Sequence, residues 1–270
     1  MNNKKIKIGI FDSGLGGLTV FKSLASNYRA NTSFVYLGDL AHLPYGNKSK
    51  DSILKYSQQI VDFFLKKKVD LIIVACNSAS SVALPSLNAN VPIVGTINPS
   101  IQSVLEHSNT KSIGLIGTET TVYSQSYNNF FSKDSQYSLY SVACPLFVPL
   151  VEQGWENTDT AYQVAIKYLN MFNNINIDTI ILACTHYPML LKTLKRVFDQ
   201  LGHKNLYFID SGNAIVNYLS NNLSFAYDSE SQSLLSPKDE FYITDTSYQF
   251  NTLANRFLGS KINNIKLISL

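Results

Sequence analysis

The sequence has only three cysteines among its 270 residues, an odd number that argues against a framework of disulfide bonds. Charged residues are also few, at 15%, and the net charge of +3 comes without the clustered basic patch of a nucleic-acid or anionic-membrane surface. No apolar run approaches the roughly 20 residues of a membrane span, and the apolar stretch after the N-terminal lysines is too short for a signal peptide. The sequence therefore predicts a soluble, cytoplasmic protein whose cysteines serve either core packing or chemistry.

Short β-rich runs alternate with segments of helical periodicity along the chain. Lys5 to Phe11 and Ser33 to Leu37 are strand-like, and Leu18 to Tyr28 between them is helical. Ser49 is a predicted N-cap, and the uninterrupted apolar run Leu71 to Ala75 is typical of a parallel strand covered on both faces. Strands that alternate with helices predict βαβ units, and hence an α/β fold with parallel sheets.

The chain also contains an internal repeat. Val69 to Cys76 matches Ile177 to Cys184 at an offset of 108 residues. A weaker echo in the same order pairs Ile8 to Ser13 with Ile113 to Thr118. The repeat predicts two similar parallel-sheet α/β domains related by pseudo-symmetry, with the active site in the cleft between them.

The predicted domain limits follow from a hinge near Val94 to Pro99, where Gly, Asn and Pro cluster. Residues 1–97 and 211–270 are expected to form the first domain, and residues 98–210 the second. The tail is expected to return to the first domain through a helix, a Ser-rich loop over residues 222–240 and a strand near Phe241 to Thr244.

Cys76 and Cys184 each follow a predicted buried strand and precede polar residues that open a helix. In parallel sheets, ligands bind beyond the carboxyl ends of the strands, and the N–H groups at a helix start favour anions. The same field is expected to lower the pKa of a cysteine. A single cysteine more often packs than reacts, but two at equivalent positions of matching halves favour chemistry. If the halves face each other, one thiol can remove a proton from one face of a carbon and the other can return one to the opposite face.

Two other kinds of site compete with this interpretation. Cys76, Cys184 and His186 could supply three zinc ligands, but Cys184-Thr185-His186 is not a usual ligand spacing, and no C-x-x-C or H-E-x-x-H motif is present. The loop Gly14 to Gly17 hints at a dinucleotide site but lacks the full G-x-G-x-x-G spacing, and a turn with an anion cradle explains it as well. No metal and no cofactor are therefore expected.

Six ordered motifs resemble those of bacterial glutamate racemases. They are Phe11 to Val20, Gly38-Asp39 with Pro44-Tyr45-Gly46, Ala75 to Ser80, Gly117-Thr118 with Thr121-Val122, Cys144 to Glu152, and Cys184 to Pro188. The set spans roughly residues 6–220 and is far more specific than any single motif. Ser78 stands where the family usually has Thr, which keeps the hydroxyl, and Ala183 replaces a usual Gly before the second cysteine.

The resemblance implies interconversion of L- and D-glutamate without pyridoxal phosphate or metal, supplying D-glutamate for peptidoglycan. It assigns Cys76 to the proton of the D-enantiomer and Cys184 to that of the L-enantiomer. Asp12 would assist Cys76, His186 would assist Cys184, and Glu152 would poise the site. The substrate-binding candidates that it implies are Asp12, Ser13, Pro44, Tyr45, Gly46, Asn77, Ser78, Thr118, Thr121, Thr185 and His186.

Several alternatives stay open at this point. Asp12 could cap the next helix, His186 could simply begin one, Glu152 could lie on the surface, and Cys144, which has no symmetric counterpart, is assigned to structure. The nearest rival functions are an aspartate racemase or another member of the superfamily, including decarboxylases with a single catalytic cysteine. A non-enzymatic amino-acid-binding regulator would not need both thiols. The expected partners are the small-molecule substrate and a second copy of the chain in a homodimer, with no nucleic acid and no membrane.

Overall fold

The computed structural model describes residues 5–223, 225, 233–246 and 250–270, and strands and helices alternate along them. The β-strands are β1 (Ile6–Asp12), β2 (Thr32–Gly38), β3 (Leu71–Val74), β4 (Ile93–Val94), β5 (Ser112–Gly117), β6 (Ser138–Ala143), β7 (Thr179–Ala183), β8 (Tyr207–Asp210), β9 (Glu240–Ile243) and β10 (Ile265–Leu267). The α-helices are α1 (Leu18–Tyr28), α2 (Lys50–Lys66), α3 (Asn77–Val82), α4 (Ile97–His107), α5 (Glu119–Tyr123), α6 (Asn128–Phe131), α7 (Phe147–Glu152), α8 (Asp159–Leu169), α9 (Leu191–Gln200), α10 (Ser211–Leu223) and α11 (Phe250–Leu258).

The strands form two sheets that share one strand order. The first sheet contains β2-β1-β3-β4 and continues past β2 into β9 and β10, and the second is β6-β5-β7-β8. Every strand pair among the described residues is parallel. The matching sequence segments occupy matching places, because β3 lies beside β1 and β7 lies beside β5. The prediction of two similar parallel-sheet α/β units is therefore confirmed.

Burial follows the sequence pattern that predicted the strands. All residues of β3 and β7 are buried, as expected for apolar runs covered on both faces. One buried apolar cluster runs through the described parts of both halves, from Ile10 and Leu18 to Leu182 and Leu194. Ser49 caps α2, since its hydroxyl accepts from the backbone N–H of Ser52 at 3.3 Å. The two sheets are thus held against each other by a shared core beneath their carboxyl ends.

The C-terminal part of the chain returns to the first sheet. Strand β9 pairs with β2, β10 pairs with β9, and α11 between them packs on α1. Helix α10 packs on both α1 and α4 and so lies across the junction of the two halves. Of the predicted loop over residues 222–240, residues 224 and 226–232 lie outside the described residues. No helix in the described ranges is long and apolar enough to cross a membrane.

Candidate active site

The carboxyl ends of four strands open onto one cavity of about 270 Å³. Ser13 follows β1, Cys76 follows β3, Thr118 follows β5 and Cys184 follows β7, and all four residues line the cavity. Strand order brings them there, because β1 and β3 are neighbours in one sheet as β5 and β7 are in the other. The sequence repeat therefore places two thiols on the wall of one cavity.

Cys76 is a buried thiol at the N-cap of α3. Its thiol donates a weak hydrogen bond to Ser13 Oγ, with the two atoms 3.8 Å apart. Burial first, and then the carboxylate of Asp12, raise the pKa of the Cys76 thiol to about 12, although the backbone N–H of Ala79 lowers it. The prediction that the helix start would lower this pKa is wrong, because desolvation of the thiolate outweighs the N–H groups of a six-residue helix.

Cys184 has different neighbours. His186 Nδ1 lies 4.0 Å from Cys184 Sγ, and His186 Nε2 lies 3.3 Å from Glu152 Oε1. Burial alone would lower the pKa of the His186 imidazolium, but hydrogen bonds to Cys184 and Glu152 outweigh it and raise that pKa to about 10. A protonated imidazole therefore places a positive charge beside the Cys184 sulfur. The predicted α-helix start after Cys184 is replaced by a 3₁₀ turn over Tyr187–Leu190 that precedes α9.

Asp12 lies behind the cavity wall and does not line it. One carboxylate oxygen accepts from the backbone N–H of Gly14 at 3.0 Å, and the other accepts from Thr185 Oγ1 at 3.3 Å. Burial raises the pKa of the Asp12 carboxyl, and the charge of His186 lowers it in part. Asp12 is not the N-cap residue of α1, which is Gly17, although its carboxylate also accepts from the Gly17 backbone N–H. This carboxylate instead links the loop after β1 to the loop after β7.

Two glycines of the Gly14 to Gly17 loop are needed for close approach, Gly16 to the second half of the chain and Gly17 to its own half. A Cβ atom on Gly16 would overlap Thr185 Oγ1 and lie 2.5 Å from His186 Nδ1, and one on Gly17 would lie 2.5 Å from Asp12 Cβ. Real Cβ atoms essentially never come within 3.0 Å of such neighbours. The loop is therefore explained by packing of its backbone against site side chains, and a dinucleotide loop or an anion cradle is not required.

Uncharged polar groups form one wall of the cavity. Ser78 Oγ lies 2.9 Å from Thr118 Oγ1, which lies 3.0 Å from Thr121 Oγ1, so hydroxyls from both halves meet. Thr121 does not itself line the cavity. Asn77 donates through Nδ2 to Ser211 Oγ at 3.0 Å, while its buried Oδ1 has no partner among the described residues. None of the described lining residues is a lysine or an arginine, so this wall offers only neutral donors to a carboxylate.

A loop between β2 and α2 supplies Pro44, Tyr45 and Gly46 to the cavity wall. Asp39, which is fully buried at the base of this loop, accepts from Tyr45 Oη at 2.5 Å and from Thr244 Oγ1 at 2.7 Å. On the other side of the cleft, Thr120 Oγ1 donates to the Tyr45 carbonyl at 3.3 Å. In the sequence, Asp39 stands out only as part of the Gly38-Asp39 motif. In the structure, its carboxylate fixes the loop that carries Tyr45.

Sequence reasoning did not predict the other walls of the cavity. The remaining lining residues are Gly14, Leu43, Asn47, Glu119, Pro145, Val148 and Pro149. Three of them, Pro145, Val148 and Pro149, lie inside the Cys144 to Glu152 motif, so the resemblance at that motif could have indicated this wall. Cys144 itself is fully buried outside the cavity lining, in agreement with a structural role. Across the described ranges, no group of three or more His, Cys, Asp or Glu side chains is arranged to hold a metal ion.

Known proteins of similar sequence and structure share this architecture. A model of the family described as Asp/Glu/Hydantoin racemase matches residues 8–219. Glutamate racemase of Aquifex pyrophilus is 43% identical over 256 residues, covering 94% of each chain, and that of a Sulfurihydrogenibium species is 41% identical over 268 residues, covering 97% of this chain and 98% of the relative. The crystal structure of glutamate racemase from Francisella tularensis in complex with D-glutamate aligns with a TM-score of 0.84 at 30% identity, covering 98% of both chains.

Proposed function

We propose a function from one premise: the chain belongs to the Asp/Glu/Hydantoin racemase family. It is therefore an amino-acid racemase, and the reaction that we propose for it is the interconversion of L- and D-glutamate. The resemblance read from the six motifs is confirmed by this membership. Glutamate is chosen because the full-length relatives above 40% identity are glutamate racemases and because the relative from Francisella tularensis, of the same fold, was solved with D-glutamate.

One observation supports the mechanism above the others. Cys76 and Cys184 line the same cavity from strand ends that the internal repeat relates. A base that had removed the proton from one face of a carbon would have to cross the substrate to return it to the other face. Two groups on opposite walls solve this problem, so we assign the two thiols to the two faces of the substrate α-carbon.

In the L-to-D direction, the Cys184 thiolate takes the α-proton and leaves a carbanion at Cα. The Cys76 thiol then gives its proton to the opposite face, so that Cys184 ends as a thiol and Cys76 as a thiolate. The raised pKa of Cys76 keeps this thiol protonated until the carbanion forms, and the Asp12 carboxylate contributes to that rise. The His186 imidazolium stabilises the Cys184 thiolate, and Glu152 supports that imidazolium. The D-to-L reaction exchanges the two roles.

The neutral polar wall is the proposed site for the substrate carboxylates. Its members are Ser13, Asn77, Ser78, Thr118 and Thr185; the backbone of Pro44, Tyr45 and Gly46 adds further groups, and Thr121 supports Thr118. Neutral donors suit the reaction, because uniformly tight binding of a ground-state carboxylate does not lower the barrier to proton removal. Asn77 Oδ1 has no partner among the described residues, and we assign it to the substrate ammonium as an acceptor.

Incubation of the purified protein with each enantiomer of glutamate in D₂O tests this function. We expect loss of optical rotation from both enantiomers, with deuterium replacing the α-proton, because the thiol protons exchange with solvent. Racemisation of aspartate but not of glutamate would make the substrate assignment wrong. Binding of glutamate without exchange would favour an amino-acid-binding regulator, and activity that disappears on chelation would favour the zinc alternative.

A second experiment tests the loop that Asp39 fixes. Tyr45→Phe removes the hydrogen bond to the buried carboxylate and loosens the backbone that we assign to the substrate, so KM for glutamate should rise by about tenfold. The measurement is steady-state racemisation in both directions. Tyr127→Phe is the matched control, because the Tyr127 hydroxyl is also buried but Tyr127 does not line the cavity, so its removal should leave KM unchanged. An unaltered KM in Tyr45→Phe would remove the loop from the substrate site.

The cellular setting is proposed on the same resemblance. We infer that the protein acts in the cytoplasm and that its D-glutamate enters peptidoglycan, with consequences for cell-wall biogenesis and cell shape. A homodimer is also proposed. The second half of the chain exposes large apolar side chains that an interface could cover, among them Tyr123, Leu146 and Trp155, each more than half exposed. Light scattering on the purified protein would decide the oligomeric state.

A further inference from the structure

Helix α11 packs on α1 of the first half, and its last residues contact the second half near His186 and Glu152, the two residues that we assign to support Cys184. Arg256 on this helix donates through Nη2 to both carboxylate oxygens of Glu156, each at 2.7 Å. It also donates through Nη1 to the Val151 carbonyl at 3.0 Å. Val151 directly precedes Glu152 in the last turn of α7, so Arg256 holds the chain on both sides of Glu152, at the Val151 backbone and at the Glu156 side chain.

The neighbouring residue of α11 touches the other member of the pair. The Phe257 ring lies edge-on to the His186 ring, with centroids 5.1 Å apart and an interplanar angle of 82°. Two consecutive residues of one helix therefore contact the segment that bears Glu152 and the imidazole that Glu152 supports. Neither Arg256 nor Phe257 lines the cavity, so neither is placed to touch the substrate.

The grip matters because Glu152 has little other support. Its side chain is 32% exposed, whereas that of His186 is 8% exposed, and their contact is long at 3.3 Å. The Arg256–Glu156 pair is shorter and less exposed: Nη2 donates to both carboxylate oxygens at 2.7 Å, and only 26% and 12% of the two side chains are exposed. A partly exposed carboxylate keeps its position only if its backbone is fixed. The bidentate pair supplies that fixed point.

We propose that Arg256 is a positioning residue for the Cys184 side of the reaction, holding Glu152 against His186 by fixing the end of α7. This inference rests on the proposed function. It also makes the contact between the two halves part of the catalytic geometry, because α11 follows β9 in the first sheet while Glu152 and His186 belong to the second half. The charged and titratable groups that face His186 are Cys184, Glu152 and Asp12.

Loss of the Arg256 contacts should change the pH dependence of kcat, which a general loss of stability would not do. If Glu152 moves away, the His186 imidazolium loses one of the two hydrogen bonds that raise its pKa. The imidazolium then deprotonates at lower pH, and the Cys184 thiolate loses its counter-charge there. The alkaline limb of the pH profile of kcat should shift to lower pH, while KM should change little.

The test compares Arg256→Gln and Arg256→Lys with wild type in two measurements. In the first, the imidazole pKa of His186 is followed by NMR of isotope-labelled histidine, with the other three of the four histidines as internal controls and a His186→Asn sample for assignment. We expect the pKa to fall in Arg256→Gln and to fall less in Arg256→Lys, which keeps the charge but loses the fork. In the second, kcat for glutamate should fall by about tenfold to a hundredfold in Arg256→Gln, with its alkaline limb shifted.

Lys7→Met is the matched control, because it also breaks a partly buried ion pair, the one between Lys7 and Glu240 at 2.8 Å. That pair lies at the amino ends of the first-sheet strands, away from the cavity. This substitution should change neither the His186 pKa nor the pH profile. A folded Arg256→Gln protein whose His186 pKa and alkaline limb match wild type would overturn the proposal. If Arg256→Gln does not fold, Arg256→Lys decides by the same two criteria. The titration needs no turnover, so it judges Arg256 even if wild type fails to racemise glutamate, which would refute the proposed function instead.

Discussion

Replacing either Cys76 or Cys184 with alanine is expected to abolish racemisation of glutamate, with kcat reduced by about a thousandfold or more. Each thiol is the proposed acid or base for one face of Cα, and both line the cavity. Every turnover needs both thiols in both directions, so neither variant should keep a fast direction. The measurement is chiral analysis of each enantiomer over time, with α-proton exchange in D₂O followed by NMR.

The pattern of residual exchange assigns each cysteine to a face. A Cys184→Ala protein keeps only the base for the D-enantiomer, so any remaining deuterium uptake should be confined to D-glutamate, without inversion. A Cys76→Ala protein should show the mirror pattern with L-glutamate. Cys144→Ala is the control, because this thiol is buried away from the cavity and its loss should cost stability but not turnover. Full activity in either single-cysteine variant would refute the two-base mechanism.

The division of the chain into two α/β halves could be predicted because local apolar patterns determine the strands of each half. The runs that became β3 and β7 are uninterrupted and buried, and their 108-residue repeat anticipated the shared strand order of the two sheets. Strand ends in parallel sheets meet at one edge, so the repeat placed Cys76 and Cys184 at equivalent edges of the two sheets, and the structure shows that both edges line one cavity. The cap at Ser49 was equally local and is confirmed.

The features that the sequence could not predict depend on contacts and burial that involve residues far apart in the chain. A helix start after Cys76 pointed to a lowered pKa, but the depth of burial and the approach of Asp12 decide the direction, and both depend on tertiary packing. The grip of Arg256 on Glu156 joins residues 100 positions apart, and no local pattern indicates such a pair. The glycine loop shows the same limit, because its sequence suggested a ligand cradle while its role depends on what packs against it.

That role of the loop leads to the second large effect. Gly16→Ala should reduce kcat by about a hundredfold, because displacement of a catalytic group by about 1 Å can cost that much. The added Cβ would overlap Thr185 Oγ1 and lie 2.5 Å from His186 Nδ1. Thr185 is also held from the first half by Thr19, whose hydroxyl donates to its carbonyl at 3.1 Å. The methyl group must therefore push His186 away from Cys184 or open the contact between the halves.

The control for this substitution separates strain from site geometry. Gly202 has a φ of +89°, and a Cβ there meets nothing within 4 Å, so Gly202→Ala should lower stability by about 1 kcal/mol through backbone strain. Its kcat should equal that of wild type, since Gly202 is exposed and outside the cavity lining. The measurements are thermal unfolding and steady-state racemisation of both variants. The added methyl group must displace His186 or Thr185 if the site has the geometry described above. A Gly16→Ala protein with wild-type kcat would therefore show that turnover does not depend on the position of His186 beside Cys184.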